Sequence, residues 1–245
     1  MNIVILAAGI SRRLFPLTKE KPKTILPLFG GQSLLSFTFR NFSKRKKYIR
    51  KFIIVGGHGF EFLRQEVNKL DKTFDLKTTL LYNPEYQTMN NCYSLLLGIQ
   101  KNLEDDLLII NSDVLYDDGI LDTIIPTPNT ALVVDNVKCV TAESMKVYVK
   151  NQRIHDISKK LDCRRSCGEY IGIAKIQKKD LPRLQSSLGA VIEDNPDFFY
   201  EDAFRRILPD TLFGIVNTDG LVWTEIDDHH DLTRAQRMYY RSLKL

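Results

Sequence analysis

Two carboxylates at strand ends are the first residues in this chain that could do chemistry. Asp113 follows the aliphatic run Leu107-Leu108-Ile109-Ile110 by three residues, and Asp227 stands in Trp223-Thr224-Glu225-Ile226-Asp227-Asp228, just ahead of a helix. Such oxygens suit a hard divalent cation. A turn-capping Asp is the plainer use of either one alone, and Asp228 is an alternative ligand or the helix cap. A second signal lies near the start. Ala7-Ala8-Gly9 closes an apolar run, and Ser11, Arg12, Arg13, Lys19, Lys21 and Lys23 follow with Glu20 as the only acid. A tight turn of free backbone N–H groups followed by fixed cations is what a polyphosphate requires; a solvated basic loop is the plain alternative. A third signal is acids beside aromatic rings, in Glu169-Tyr170 and Tyr200-Glu201-Asp202. That combination suits a small cationic head group, although Glu201 and Asp202 would also be favoured simply by opening a helix. His229 and His230 are neighbours, point apart on a helix and read as surface or helix-start residues.

These groups need elements to hold them. Ile3–Leu6 is a short unbroken apolar run, as in a strand buried on both faces of a parallel sheet. Phe52–Val55, 76–82 and Leu107–Ile110 read as further strands. Helices between them start at Ser33, at Phe60 and at Asn90 or Asn91. Strands alternating with helices predict a doubly wound α/β domain, whose ligands lie beyond the carboxyl ends of the strands. Gly9, Gly56, Asn83 and Asp113 all sit at such ends. Beyond residue 116 the pattern loosens: strands are expected over 131–134, 146–149, 154–157, 170–176, 213–216 and 223–226, with helices over 181–192, 200–208 and 232–243. Asn151-Gln152 is a hairpin turn, so part of this half is antiparallel. No repeat or linker interrupts the chain, so a single domain over 1–245 is expected, with a nucleotide-binding half of about 1–115 and an acceptor-binding half of about 116–245.

The 245 residues carry a formal net charge of +5, which favours small anionic ligands and does not call for nucleic acid. The basic run Lys44-Arg45-Lys46-Lys47 reads as a solvated helix end. Cys92, Cys139, Cys163 and Cys167 lack zinc-ligand spacing and read as reduced thiols. No apolar stretch reaches membrane-spanning length and no signal peptide is visible. A cytoplasmic protein without a membrane partner is expected; the oligomeric state is left open.

The N-terminal segment resembles the nucleotidyltransferase family that activates sugar phosphates and related small phosphates with a nucleoside triphosphate. The shared pattern is Ala7-Ala8-Gly9, Arg13-Leu14, Pro16-Leu17-Thr18, Pro22-Lys23 and Leu26-Pro27. One departure is Ser11, where many relatives carry a second Gly. The segment Asn90-Asn91-x-x-Ser94-Leu95 resembles the branch that includes phosphocholine and 2-aminoethylphosphonate cytidylyltransferases, as do Cys167–Ile173 and Phe198–Phe204. Asn and Ser side chains offer the donors and acceptors that a pyrimidine edge and ribose need, with helix capping as the other use of Asn90.

The resemblance implies a GT-A-like (Rossmann-like) α/β fold with a mixed, mostly parallel central sheet and helices on both faces. It implies a cytidylyltransferase that moves CMP from CTP to a small phosphate or phosphonate acceptor and releases pyrophosphate. Leu6, Ala7, Ala8, Gly9, Ser11, Gly56, Asn83, Asn90 and Ser94 would hold the nucleotide, and Arg13 and Lys23 would be catalytic. Asp113 and Asp227 would hold Mg²⁺. Glu169, Tyr170, Tyr200, Glu201 and Asp202 would bind the acceptor. The rivals are a sugar-1-phosphate nucleotidyltransferase, a GT-A glycosyltransferase and a nucleotide-binding regulatory protein without turnover.

Overall fold

The computed structural model describes residues 1–100 and 102–242, with side chains up to Tyr239 in the last helix. Strand β1 (Asn2–Ala7) is central. It pairs in parallel with β2 (Lys51–Gly56) on one side and β4 (Leu107–Asn111) on the other, and β2 pairs in parallel with β3 (Thr78–Tyr82). The alternation of strand side chains explains the unbroken apolar run. Val4 and Leu6 enter one core with α3 (Asn91–Ile99), α5 (Leu181–Asp194) and α6 (Tyr200–Ile207). Ile3 and Ile5 enter another with α1 (Leu34–Ser43), α2 (Phe60–Phe74) and α4 (Gly119–Ile124). Helices therefore cover both faces, as expected.

The remaining strands of this sheet come from the second half: β6 (Ala131–Asp135), β7 (Lys146–Lys150), β8 (Arg153–Ser158), β9 (Gly168–Ile176) and β10 (Gly214–Asn217). The nine-stranded order is β3-β2-β1-β4-β9-β6-β10-β8-β7. β9 runs antiparallel between β4 and β6, while β6 and β10 pair in parallel. The sheet is mixed, and its parallel block is narrower than the sequence suggests because β9 is inserted against the direction of its neighbours. Asn151 and Gln152 form the two-residue turn between β7 and β8, both with positive φ, as a type I′ hairpin requires.

A separate two-stranded ribbon, β5 (Val114–Tyr116) with β11 (Trp223–Glu225), matters most for the site. β5 and α4 are absent from the sequence expectation. A small third core packs the N-terminal loop and the closing helix α7 (His229–Ser242) onto this ribbon, through Leu14, Leu26, Leu28, Leu115, Ile226 and Leu232. The helix begins three residues earlier than expected, and Leu243, the expected last residue, lies outside the described residues. The basic run after α1 is not uniformly solvated. Arg45 is buried, donates to both carboxylate oxygens of Asp122 and to the carbonyls of Asn41 and Asp118, and so ties the end of α1 to α4. All four cysteines are free thiols.

Candidate active site

The carboxyl ends of β1 and β4, the basic loop and the ribbon meet around a cavity of about 430 Å³. The loop after β1 is shaped by its own backbone. Ser11 adopts a left-handed conformation (φ 55°, ψ 51°), a position where Gly is at ease and an L-residue rarely sits. Thr18 Oγ1 donates to Ser11 O at 2.8 Å and holds the turn closed. Gly59, also at positive φ, lies where a Cβ would come within 2.6 Å of Glu20 O and 2.7 Å of Pro22, so the Gly56–Gly59 turn can press on the loop beside Lys23.

Lys23 then reaches into the ribbon. Its Nζ pairs with Asp113 Oδ2 at 2.8 Å, donates to Asp227 Oδ1 at 3.2 Å and donates to Ile226 O at 2.8 Å. Arg13 pairs with the other oxygen of Asp227 at 2.8 Å. β11 brings the acids together, since Glu225 lies opposite Val114 and Ile226 N donates to Asp113 O. The carboxylates of Asp113, Glu225 and Asp227 each offer an oxygen within 4.8 Å of the others. Burial alone would lower the Lys23 ammonium; Asp113 and Asp227 outweigh it and hold it above its ordinary value. Burial would raise Asp227, but Lys23 and Arg13 hold it below the usual carboxylate range. Glu225, half-buried and facing both other acids, is pushed up to about 8.

This donor set fits a divalent cation. It is all oxygen, it converges from two strand ends, and Asp113 Oδ1 is buried with no hydrogen-bond partner. The grouping outside it, Asp228, His230 and Asp231, is accounted for by helix capping: Asp231 accepts from the backbone N–H of Asp227 and Asp228, and Asp231 N donates to Asp228 Oδ1. Asp228 is thus the helix cap, while Asp227 faces the cavity.

Leu6, Ala7, Ala8, Gly9, Ser11, Arg13 and Lys23 line the cavity, as do Asn83, Asn90 and Ser94. Asn83 and Ser94 are joined by a 2.9 Å hydrogen bond, and Asn90 caps α3 by accepting from Asn91 N. Asp113, Asp227, Glu169, Tyr170 and Glu201 lie on the same wall system. Three expected residues do not. Gly56 is turned to α2, where a Cβ would come within 2.5 Å of Leu63, so its small size serves packing. Tyr200 is fully buried behind the wall, its hydroxyl 2.9 Å from that of Tyr170 and donating to Asn111 Oδ1 at 3.0 Å. Asp202 accepts from Phe199 N at 2.9 Å and caps α6.

The structure also adds residues. Glu225 sits two places before Asp227 on one extended segment, so both fall on one face, a spacing the sequence already carried. Lys159 also lines the cavity, with its ammonium 5.2 Å above the Phe199 ring. Glu143 and Met145 enter from the loop before β7. That loop is built on Lys146, a buried lysine whose Nζ donates to the carbonyls of Thr141, Ala142 and Ser144 at 3.0–3.2 Å. Glu201 is buried, leaves one carboxylate oxygen without a partner, and is pushed up to about 7 by its burial. Burial likewise raises Glu169.

The family described as a domain of unknown function (DUF6564) matches residues 31–161. The CTP:phosphoglutamine cytidylyltransferase of Campylobacter jejuni is 26% identical over 258 residues, covering 95% of this chain and 98% of that protein. The choline-phosphate cytidylyltransferase of Haemophilus influenzae is 32% identical over 121 residues, covering 49% of this chain and 47% of its own. Among solved structures, the inositol-1-phosphate CTP transferase from T. maritima superimposes with a TM-score of 0.78 at 20% identity, over 96% of this chain and 94% of that one. The chain therefore has the nucleotidyltransferase fold, and its relatives include the cytidylyltransferase branch.

Proposed function

We propose that this chain, which belongs to the DUF6564 family, is a Mg²⁺-dependent cytidylyltransferase that moves CMP from CTP to a small phosphate or phosphonate acceptor bearing an amino or ammonium group. The observation that carries the reading is the meeting of Lys23, Asp113, Glu225 and Asp227 in one cavity. The basic loop lines the same cavity, as do acids and aromatic rings, Glu169, Tyr170, Phe199 and Glu201 among them. The relatives named above differ in acceptor and share CTP or a cytidylyl group.

In this reading Gly9, Ser11 and Arg13 receive the β- and γ-phosphates, and Asn83, Asn90 and Ser94 meet the ribose and base. Lys23 faces the α-phosphate. Asp113 and Asp227, with Glu225 beside them, would hold Mg²⁺, which supplies neutralisation of phosphate charge when bound. An acceptor oxygen attacks the α-phosphorus, the bond to the bridging oxygen breaks and pyrophosphate leaves. That acceptor oxygen is already ionised near neutral pH, so no side chain need remove a proton. Positioning of two reactants can contribute about 7–11 kcal/mol, and the fixed cations act where charge builds.

The test is pyrophosphate release with four nucleoside triphosphates and a panel of phosphocholine, aminoalkylphosphonates, phosphorylated amino-acid amides and sugar phosphates. CTP with an amine-bearing acceptor should turn over fastest. If glucose-1-phosphate outperforms every amine-bearing acceptor, the sugar-phosphate reading replaces this one.

Glu201 is the carboxylate best placed for the ammonium group, being buried with an unpartnered oxygen. A hydrogen bond to a charged group contributes about 1.5–3 kcal/mol. Glu201→Gln should therefore lower acceptor kcat/KM about tenfold to a hundredfold while CTP binding stays nearly unchanged. Since burial pushes this carboxyl up to about 7, its charge appears as pH rises through that value. Selectivity for the amine-bearing acceptor over an amine-free analogue should rise with pH across this range, and Glu201→Gln should flatten that rise. A pH-independent selectivity in the wild type would exclude Glu201 from ammonium binding.

Lys146 is a positioning residue in the same reading. Its three hydrogen bonds shape the loop that carries Glu143 and Met145 to the acceptor end. Lys146→Met should raise acceptor KM about tenfold with kcat and CTP KM changing far less. A parallel rise in CTP KM would mark a general loss of fold instead.

A further inference from the structure

Lys23 and Arg13 occupy the carboxylates that a divalent cation would use. The Lys23 ammonium stands within 3.2 Å of oxygens from Asp113, Asp227 and the Ile226 carbonyl, only 13% exposed. Arg13 takes the second oxygen of Asp227. Two positive charges thus face the two carboxylates they pair with; water screens the Lys23 pairs little, and the exposed Arg13 pair more. The arrangement is nonetheless incomplete, because among the described residues Asp113 Oδ1 is buried and unpartnered and Glu225 stands in the same cluster without an ion pair of its own. An ammonium offers three donors in tetrahedral directions and has spent them on Asp113, Asp227 and Ile226 O. Both cations also lie on the loop that a triphosphate would meet. The same charges cannot serve phosphate oxygens and these carboxylates at full strength.

We propose that Lys23 and Arg13 act as a built-in counter-ion that closes the Asp113–Glu225–Asp227 cluster to divalent cations until a nucleoside triphosphate draws both side chains away. This rests on the reading of that cluster as the metal site of the proposed transfer. It adds a condition to that reading: metal and nucleotide enter together, and each raises the affinity for the other by the same factor. The device would keep the protein from holding a divalent ion that no substrate accompanies.

The test is Mn²⁺ binding to the full chain without acceptor, read from the loss of the free-ion electron paramagnetic resonance signal. Mn²⁺ alone should bind wild type weakly. Removing the buried cation in Lys23→Met should tighten binding of Mn²⁺ alone by at least about tenfold, because an unscreened charge a few ångströms away no longer opposes it. Arg13→Gln should tighten it by a smaller factor. Arg13 is largely exposed, so this variant keeps the test decisive even if Lys23→Met folds poorly. Lys23→Arg keeps a cation and should stay weak, and Asp113→Asn should lower affinity in each background. Equilibrium dialysis of CTP supplies the reciprocal arm: Mn²⁺ should raise CTP affinity more in wild type than in Arg13→Gln. Equal affinities for Mn²⁺ alone in wild type, Lys23→Met and Arg13→Gln overturn the counter-ion role and leave transfer intact. Failure of the proposed activity looks different, as absent pyrophosphate release while this order of Mn²⁺ affinities holds.

Discussion

Asp113→Asn and Asp227→Asn should each lower turnover by about 10²–10³-fold or more, in line with the loss of a group aimed at developing charge, while the fold persists. The fold should survive because Asn keeps an oxygen acceptor of nearly the same shape. Lys23 Nζ would still find Ile226 O and one remaining carboxylate in either variant. The cost to stability is real, since Lys23 is buried among these acids and breaking one partner of a buried pair is unfavourable. It is limited because Asp113 and Asp227 keep side-chain exposures of 20% and 32%. Turnover is another matter. These two acids come from separate strand ends that the β5–β11 pairing fixes, and with either one gone Glu225 and the remaining Asp are all that is left of the set. Steady-state kinetics at saturating Mg²⁺, beside thermal unfolding of both variants, decides the outcome. Full activity in excess chelator, or near-normal turnover in both variants, would remove the metal from the mechanism.

The way this site is assembled shows what a single sequence can and cannot carry. β1 was legible because burial on both faces leaves no polar residue after Asn2, and the loop after it because cations crowd so small a span. Asp113 and Asp227 were legible as strand ends. Their meeting was not, because it depends on β5, a three-residue strand with no periodicity to detect, whose partner lies more than a hundred residues away. Glu225 could have been found, since it shares a face with Asp227 on the same extended segment. Arg45 could not. Its run of basic neighbours looks like solvated surface, and its acid partners lie 73 and 77 residues on in the sequence. Tyr200, Glu201 and Asp202 show the same limit at finer scale. Sequence marks all three as acids and aromatics at a helix start, but helix phase sends Tyr200 into the core, Glu201 to the cavity and Asp202 to the cap. An acid three residues beyond Phe199 was already a capping signal. Its place at a strand end makes Gly56 look like a ligand contact, while its neighbours Leu63 and Phe60 crowd the space a side chain would need.

Lys23→Ala should lower kcat about a hundredfold or more, the scale seen when a charge-stabilising group is removed, and change CTP affinity by no more than about fivefold. The two effects separate because the ground state already gives Lys23 strong partners. In the free protein its ammonium is held by Asp113, Asp227 and Ile226 O. Binding CTP must loosen those contacts before the α-phosphate can have the charge, so much of what Lys23 gains on the nucleotide it has lost on the acids. Removing the side chain removes both sides of that exchange, and the net effect on CTP binding is small. The transition state has no such offset. Negative charge grows on the α-phosphoryl oxygens as the acceptor attacks and pyrophosphate leaves, and an interaction that strengthens only there acts on kcat. Arg13→Ala should behave differently. The Arg13 side chain is 66% exposed and sits where the terminal phosphates would lie in the proposed reading, so its loss should weaken CTP binding more than it slows the bound complex. Direct titration of CTP beside steady-state kinetics for both variants makes the comparison. Equal losses in affinity and turnover for Lys23→Ala, or no loss in turnover, would show that Lys23 only helps to bind the nucleotide.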